Sequence, residues 1–304
     1  MSSPKNLLMI VCDQLRYDSL GFSGINPVRG APVYTPHLDA LAGESQWFER
    51  AYTALPSCCP ARQSMLCGKR PETFGAHWNY DITCKVGSIT PAMPTYTQRL
   101  KDKGFRMGHL GKWHESPDYT PLDFGYDEMY TDREYRAFRL DSHPECVLDH
   151  NYFGHTDPIP LPDAHTHVLA DRTADMLRRF EASGDPWCVR VDFFEPHLPC
   201  DPCKEFADLY RAEDLTPWPS FGETFENKPY IQKQMLWSWD NENKTWADWA
   251  DYAVRYFGII SQVDDAVGRI LSALKASGAY EDTVILFTAD HGDMAGSHRM
   301  MDKH

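Results

Sequence analysis

Two kinds of hydrophobic pattern alternate along this chain, and together they predict the order of its strands and helices. Residues 6–12 (NLLMIVC) and 283–290 (TVILFTAD) are short apolar runs. Runs of this kind are typical of strands that are buried on both faces of a parallel sheet. Three more segments have the pattern of strands: residues 47–52 (WFERAY), 105–113 (FRMGHLGKW) and 186–197 (PWCVRVDFFEPH).

Helical periodicity separates these strands. Thr35 is predicted to cap a helix that has Pro36 at its first position, and Gly104 is predicted to end another. Helices are predicted for residues 35–45, 93–104, 163–183 and 246–277. Another helix is predicted to begin with residues 60–66. Residues 118–162 and 202–244 are predicted to be irregular, and Asp264 and Asp265 to lie on a solvent-exposed helix face. This alternation predicts one α/β domain with a mostly parallel sheet.

Composition and charge narrow the class of partner. Apolar residues make up 42% of the 304 residues and charged residues 24%, as in ordinary globular proteins. The net charge of -14 disfavours nucleic acid and anionic membranes as partners. An anionic substrate would therefore need a local positive patch or a metal ion. No targeting or membrane-spanning segment is evident, and the nine cysteines lack a framework spacing, so we expect a cytoplasmic location.

Acidic residues follow the two strongest apolar runs. Asp13 and Gln14 come after the first run, and Asp290 and His291 come at the end of the last. Ligands of open α/β sheets collect at the carboxyl ends of strands, where two carboxylates, an amide and an imidazole would suit a divalent cation. Aspartates at strand ends also cap the following turn, so this pattern alone leaves both interpretations open.

The segment PSCCPARQSMLCGKR (56–70) has a second chemical signal at a predicted helix start. Pro60 fits the first turn, so Cys58 lies at or near the N-cap, where the helix dipole favours a negative group. Arg62 lies one turn further on and can reach back toward position 58. A buried structural cysteine is the alternative explanation for Cys58.

The run from Cys58 to Arg62, followed by Leu66 and Gly68, resembles the type I sulfatase signature C-x-P-S/A-R-x-x-x-L-x-G. Further segments resemble that family in its order along the chain: NLLMIVCDQLRYDSLG, TPHLDALA, GKWH, PHLP and DHGDMAGSHRMMDK. The resemblance implies an alkaline-phosphatase-like fold, in which a central, mostly parallel mixed sheet is sandwiched by helices. It also implies that residues 1–304 form an N-terminal catalytic domain whose C-terminal subdomain is missing or truncated.

The resemblance implies that a formylglycine-generating maturation enzyme oxidises Cys58 to Cα-formylglycine, with Cys59 at the variable position. The hydrated aldehyde is a geminal diol: one hydroxyl attacks sulfur and displaces the alcohol, and the other then expels sulfate as the aldehyde re-forms.

By the same resemblance, a divalent metal is held by Asp13, Gln14, Asp290, His291 and residue 58. Gln14 and His291 stand where many sulfatases have Asp and Asn, and they resemble the branch that includes phosphonate monoester hydrolases. The metal expected is Ca²⁺, with Mn²⁺ or Mg²⁺ as alternatives because the ligands carry less charge.

The remaining roles are also implied by the resemblance. Lys112 holds the formylglycine, and His114 takes the proton of the diol. His197 and Lys303 contact the sulfate and protonate the leaving group. Arg62, Lys112 and Lys303 stabilise oxyanion charge. Asn79 is a weaker candidate for a contact to a substrate oxygen.

The expected reaction is hydrolysis of a sulfate ester on a small molecule or a saccharide. The alternative is a phosphonate monoester or phosphodiester hydrolase that uses the same site. A non-catalytic, sulfatase-like binding protein is a third interpretation, and the presence of every catalytic position argues against it.

Overall fold

The structure is a computed structural model, and it describes residues 5–24, 28, 31–82, 85–148 and 151–303. The strands are β1 (Asn6–Asp13), β2 (Arg106–Gly111), β3 (Glu128–Thr131), β4 (Trp187–Pro196) and β5 (Thr283–Ala289). The α-helices are α1 (Pro36–Gly43), α2 (Cys58–Cys67), α3 (Tyr96–Lys101), α4 (Asp132–Ser142), α5 (His165–Glu181), α6 (Lys204–Ala207), α7 (Tyr230–Ser238) and α8 (Trp246–Ala276).

Within the described residues the strands form one five-stranded sheet in the order β3-β2-β4-β1-β5, and every pairing in it is parallel. The central strands β1 and β4 are almost entirely buried, as their apolar sequences require. The predicted α/β architecture is confirmed. The sheet is parallel throughout the described chain, rather than mixed.

Side chains of β1 and β4 alternate between two helical layers. Leu8 and Ile10 of β1, with Val189 and Val191 of β4, face the large core formed with α5 and α8. Cys188 packs instead with side chains from α3 on the opposite face. The alternation places Arg190 and Asp192 of β4 on that second face, between the sheet and α2.

Because the strands are parallel, their carboxyl ends lie along one edge of the sheet. Asp13 ends β1, Lys112 follows β2, and His197 follows β4. Asp290 follows β5 directly, and its backbone N–H donates to the Cys12 carbonyl of β1, 3.2 Å away. This edge therefore gathers side chains from distant parts of the sequence.

Three expectations from the sequence are wrong. Residues 47–52, all of which the structure describes, form no strand, and Phe48 and Tyr52 are exposed. The segments expected to be irregular contain β3 and α4 in one case and α6 and α7 in the other. Asp264 is not solvated: it is buried, and it accepts hydrogen bonds from the backbone N–H groups of α1.

Among the described residues, no helix combines the length and the apolar character needed to cross a bilayer.

Candidate active site

Four buried side chains meet at the carboxyl edge of the sheet: those of Asp13, Cys58, Asp290 and His291. One potential ligand atom from each lies within 4.8 Å of the others. His291 Nε2 is 3.2 Å from Cys58 Sγ and 3.7 Å from both Asp13 Oδ1 and Asp290 Oδ1. Three of the four strand-end residues expected to form a metal site, Asp13, Asp290 and His291, are thus brought together with residue 58.

The chemistry of this donor set fits a divalent cation. His291 Nδ1 lies 2.9 Å from the Gly292 carbonyl, a contact that places the ring proton on Nδ1. A ring that donates through one nitrogen to a backbone carbonyl presents the other nitrogen as a metal ligand. Here that nitrogen faces carboxylate oxygens of Asp13 and Asp290, and oxygen-rich sets with one imidazole suit Mn²⁺, Mg²⁺ or Ca²⁺.

The start of helix α2 fixes the position of residue 58. Cys58 is the first helical residue, and Ser57 is the N-cap but makes no capping bond with its own side chain. Asn79 supplies that cap from outside the helix: its Oδ1 accepts from the Cys59 N–H at 2.9 Å and from the Ser57 hydroxyl at 2.8 Å. Asn79 therefore lies beside residue 58, with its oxygen engaged by the helix start.

Arg62 lies beneath the four side chains and is completely buried. Its Nε is 2.8 Å from Asp290 Oδ2, and its two terminal nitrogens are 3.2 Å from Asp13 Oδ2 and 2.7 Å from Asp192 Oδ1. One guanidinium fork thus orients the carboxylates that end β1 and β5. The structure places Arg62 as an organiser of those acids, with all its nitrogens bonded within the protein.

Arg62 belongs to a buried ion layer between the sheet and α2, which consists of Arg62, Asp192, Arg190, Glu115 and His109. Arg190 is 2.7 Å from Asp192 and 2.8 Å from Glu115. Burial alone would raise the pKa of Asp192, but Arg190, His109 and Arg62 hold it well below its usual value. Sequence reasoning missed this layer, because Arg190 and Asp192 lie inside a mostly apolar strand while Arg62, Glu115 and His109 are far away in the sequence.

Lys112 and His114 flank residue 58 on the side of β2. Lys112 Nζ lies 2.5 Å from Asp13 Oδ2 and 4.8 Å from the centre of the Phe194 ring. His114 Nε2 is 3.1 Å from Asp81 Oδ2. Burial lowers the pKa of His114, but the hydrogen bond with Asp81 and the neighbouring Cys58 outweigh that effect and raise it.

His197 and Lys303 form a close pair on the other side. Lys303 Nζ is 2.9 Å from His197 Nε2, while His197 Nδ1 lies 2.6 Å from the Leu198 carbonyl. Burial and the charges of Lys112 and Lys303 lower the pKa of His197 well below its usual value, against the opposing effect of Asp13. His197 is therefore a neutral imidazole that donates through Nδ1 and accepts from Lys303 through Nε2.

Gln14 connects the His197–Lys303 pair with the candidate metal ligands. Its backbone N–H donates to Asp290 Oδ1 at 3.1 Å, and its side-chain oxygen accepts from Lys303 Nζ at 3.1 Å. Its side-chain NH₂ donates to Asp293, which sequence reasoning also missed. Burial raises the pKa of Asp293 to about 6, against the opposing effect of the Gln14 hydrogen bond.

The chain is similar to known proteins over nearly its whole length. Residues 5–303 match the family model named Sulfatase. An arylsulfatase of Clostridium perfringens is 32% identical over 98% of this chain and 65% of its own length, and a choline-sulfatase of Rhizobium meliloti is 30% identical over 98% and 59%.

A solved phosphonate monoester hydrolase from Silicibacter pomeroyi is similar in structure, with a TM-score of 0.78 at 21% identity over 99% of this chain and 64% of that one. This likeness concerns the fold, and it confirms the alkaline-phosphatase-like architecture expected from the sequence. The chain spans about three fifths of the length of the proteins it matches here. On the strength of the family match over nearly all its residues, this chain belongs to the sulfatase family.

Proposed function

We propose that this chain hydrolyses a sulfate ester, with residue 58 converted to formylglycine and a divalent cation held by Asp13, Asp290 and His291. The observation that carries the proposal is the convergence of these three side chains on Cys58 within 4.8 Å. Membership of the sulfatase family supports it. A bound cation would neutralise charge on the ester oxygens, and a hydrated formylglycine would supply the nucleophile.

The charge of the site suits a sulfate group. The whole chain carries a net charge of -14, which would repel an anion at long range. Lys112 and Lys303 place two ammonium groups beside the four-residue cluster, and both are about nine-tenths buried. Cations in so dry a site interact strongly with oxyanion charge, so these lysines would bind and orient the sulfate oxygens.

His114 would take a proton from the group at position 58. Asp81 faces the Nε2 atom of His114. The buried Nδ1 atom of His114 has no hydrogen-bond partner among the described residues. With the proton held on Nε2 by Asp81, the Nδ1 lone pair is available as a base. The nearby Cys58 side chain is one of the groups that raise the pKa of His114.

Lys303 and His197 would act as a pair to protonate the leaving oxygen. His197 accepts a hydrogen bond at Nε2 and is neutral, so the proton shared by the pair resides on Lys303 Nζ. Lys303 would therefore donate it, with His197 Nε2 as the hydrogen-bond partner of its ammonium.

A phosphonate monoester or phosphodiester hydrolase is the second candidate. The observation that favours it is the pair Gln14 and His291, which stand where many sulfatases have Asp and Asn. We propose a small molecule or a saccharide as the carrier of the ester, and a formylglycine-generating enzyme as the partner that converts Cys58.

Mass spectrometry of the tryptic peptide 51–62 tests the formylglycine step. This peptide contains Cys58 and Cys59 and no other cysteine. After alkylation, a converted peptide from protein made with a maturation enzyme should carry one alkyl group, on Cys59, and an aldehyde at position 58. Cys58→Ala should abolish turnover of an aryl sulfate, whereas Cys59→Ala is the matched control.

Two alkylated thiols in fully active protein would exclude the formylglycine mechanism. Rates on an aryl sulfate and on an aryl phosphonate with the same leaving group separate the two candidate functions. A higher kcat/KM on the phosphonate would favour the second.

A further inference from the structure

We propose that Asp293 is a positioning residue: it fixes the side-chain amide of Gln14 with the oxygen facing Lys303 and the cation site, and thereby sets the affinity of that site for a divalent metal. This inference rests on the metal site proposed above. Asp293 lies two residues beyond His291, is 5% exposed, and contacts Gln14 across a sequence separation of 279 residues.

The two ends of the Gln14 amide have partners of opposite character. Its NH₂ group donates to the Asp293 carboxylate, and its oxygen accepts from the Lys303 ammonium, 3.1 Å away. A flipped amide would turn its NH₂ toward the ammonium and its oxygen toward the carboxylate, and both contacts would be repulsive. One orientation is therefore strongly preferred, and in it the acceptor oxygen faces Lys303.

The backbone of Gln14 is fixed independently of this contact. Its φ of 65° lies in the left-handed region, which non-glycine residues seldom adopt. Its N–H donates to Asp290 Oδ1 at 3.1 Å, and its carbonyl accepts from the Tyr256 hydroxyl at 2.8 Å. With the backbone held, the remaining freedom of Gln14 is the rotation of its side chain, which Asp293 restrains.

Asp293 is itself held on several sides. Its Oδ1 accepts from the Ala295 N–H at 2.5 Å, and the Tyr252 hydroxyl lies 3.4 Å from Oδ2. Arg16 bonds the Asp293 carbonyl at 2.7 Å. The carboxylate is thus a rigid acceptor, one amide away from the cation site, and outer groups of this kind orient and polarise metal ligands.

The first test is calorimetric titration of Ca²⁺ and of Mn²⁺ into protein stripped of metal by a chelator. Both carboxylate oxygens of Asp293 accept hydrogen bonds, so the isosteric Asp293→Asn can satisfy either Gln14 or Ala295 but not both. We expect its Kd to rise about 10- to 100-fold, as for other outer-sphere partners. Thermal unfolding checks that the variant is folded.

Asp264→Asn is the matched control. Asp264 is also buried, and its two oxygens also accept backbone N–H groups, from His37 at 3.2 Å and Leu38 at 2.7 Å. It lies on the face of α8 against α1, apart from the cation site. Its replacement should leave the Kd for both metals unchanged.

A reciprocal exchange of the Gln14 amide and the Asp293 carboxylate distinguishes a positioning role of Asp293 from a purely structural one. Gln14→Asp alone would bring two carboxylates into contact, whereas Gln14→Asp combined with Asp293→Asn restores an amide-to-carboxylate hydrogen bond with its direction reversed. We expect the double variant to bind metal more tightly than the sum of the two single effects predicts. Independent, additive effects would overturn the proposal, and so would a folded Asp293→Asn that binds both metals like the unmodified protein. An unmodified protein that binds neither metal would overturn the metal site itself.

Discussion

Two regions of the molecule bury aspartates in opposite electrostatic states. In the ion layer, Asp192 is fully buried, yet its pKa lies well below the usual range because burial is outweighed by Arg190, His109 and Arg62. Across the sheet, Asp264 is 1% exposed and accepts two backbone N–H groups, and burial raises its pKa to about 6.

The difference shows what keeps a buried carboxylate charged in this fold. Both aspartates are desolvated and both accept hydrogen bonds, but only Asp192 has cations in contact. Asp13 follows the same rule, because Lys112 and Arg62 hold its pKa well below the usual range despite burial. Lys112 and Arg62 therefore keep Asp13, one of the candidate metal ligands, ionised at neutral pH before any metal binds.

Of the predicted changes, replacement of Arg62 should have the largest effect on the stability of the fold. Arg62→Leu would leave Asp13, Asp192 and Asp290 buried without the cation that they share. We expect the free energy of unfolding to fall by about 3–5 kcal/mol, the usual cost of removing one partner of a buried ion pair.

Urea unfolding would measure this loss, and Arg62→Lys is the matched control. Lysine keeps the charge but lacks the planar fork, so it should recover part of the stability and not all of it. Equal stability of Arg62→Leu and the unmodified protein would show that the three acids do not depend on this guanidinium.

Replacing Lys112 should separate metal binding from turnover. Its ammonium lies 2.5 Å from Asp13 Oδ2 and competes there with any cation. In Lys112→Met we expect about tenfold tighter binding of Mn²⁺, since one repulsive charge is removed. We expect kcat/KM on an aryl sulfate to fall about 10²- to 10³-fold, since a charge that would stabilise the oxyanion is lost as well.

Calorimetry and steady-state rates on one preparation would test both effects of Lys112→Met. Lys101→Met is the control, because Lys101 pairs with Asp127 at a similar 2.8 Å but is 46% exposed. That change should alter neither quantity. Weaker metal binding in Lys112→Met would mean that Lys112 supports the Asp13 ligand rather than competing for it.

The same contrast explains which parts of the site could be predicted from the sequence. Asp13 and Asp290 follow continuous apolar runs, so both the strands and the chemistry at their ends were readable. Arg190 and Asp192 lie inside a strand whose sequence is mostly apolar. Their partners outside the strand are far away in the sequence, so the pattern around them did not indicate an ion pair. Tertiary pairing of this kind leaves little local signal.

The secondary structure could also be predicted only in part from the sequence. β3 has four half-buried residues and no apolar run, so its periodicity was too short to detect. The helix that follows did carry a signal: Thr131 and Glu134 form a capping box, with the Thr131 N–H 2.7 Å from Glu134 Oε2. Residues 47–52 had the composition of a strand, but they have exposed aromatic side chains and no place in the sheet.

The smallest expected effect concerns Asp264, and it depends on pH. An ordinary aspartate has a pKa of roughly 3.9, whereas burial raises that of Asp264 to about 6 in the folded chain. Between these values the folded state binds more protons at this site than the unfolded state does. Its contribution to stability is therefore fully present below pH 4 and is lost as the pH rises through about 6.

Asp264→Asn removes this ionisation and keeps the shape of the side chain. Because the asparagine does not titrate, unfolding free energies of the two proteins should converge, or cross, as the pH rises from 5 to 7.5. We expect the difference between them to shift in favour of the variant by on the order of 1 kcal/mol over that interval. Urea unfolding at the two pH values measures the shift, and every other titrating group cancels in the comparison. A shift in the opposite direction would mean that the N–H groups of His37 and Leu38 stabilise the carboxylate more than burial destabilises it, and Asp264 would then resemble Asp192 without needing a cation.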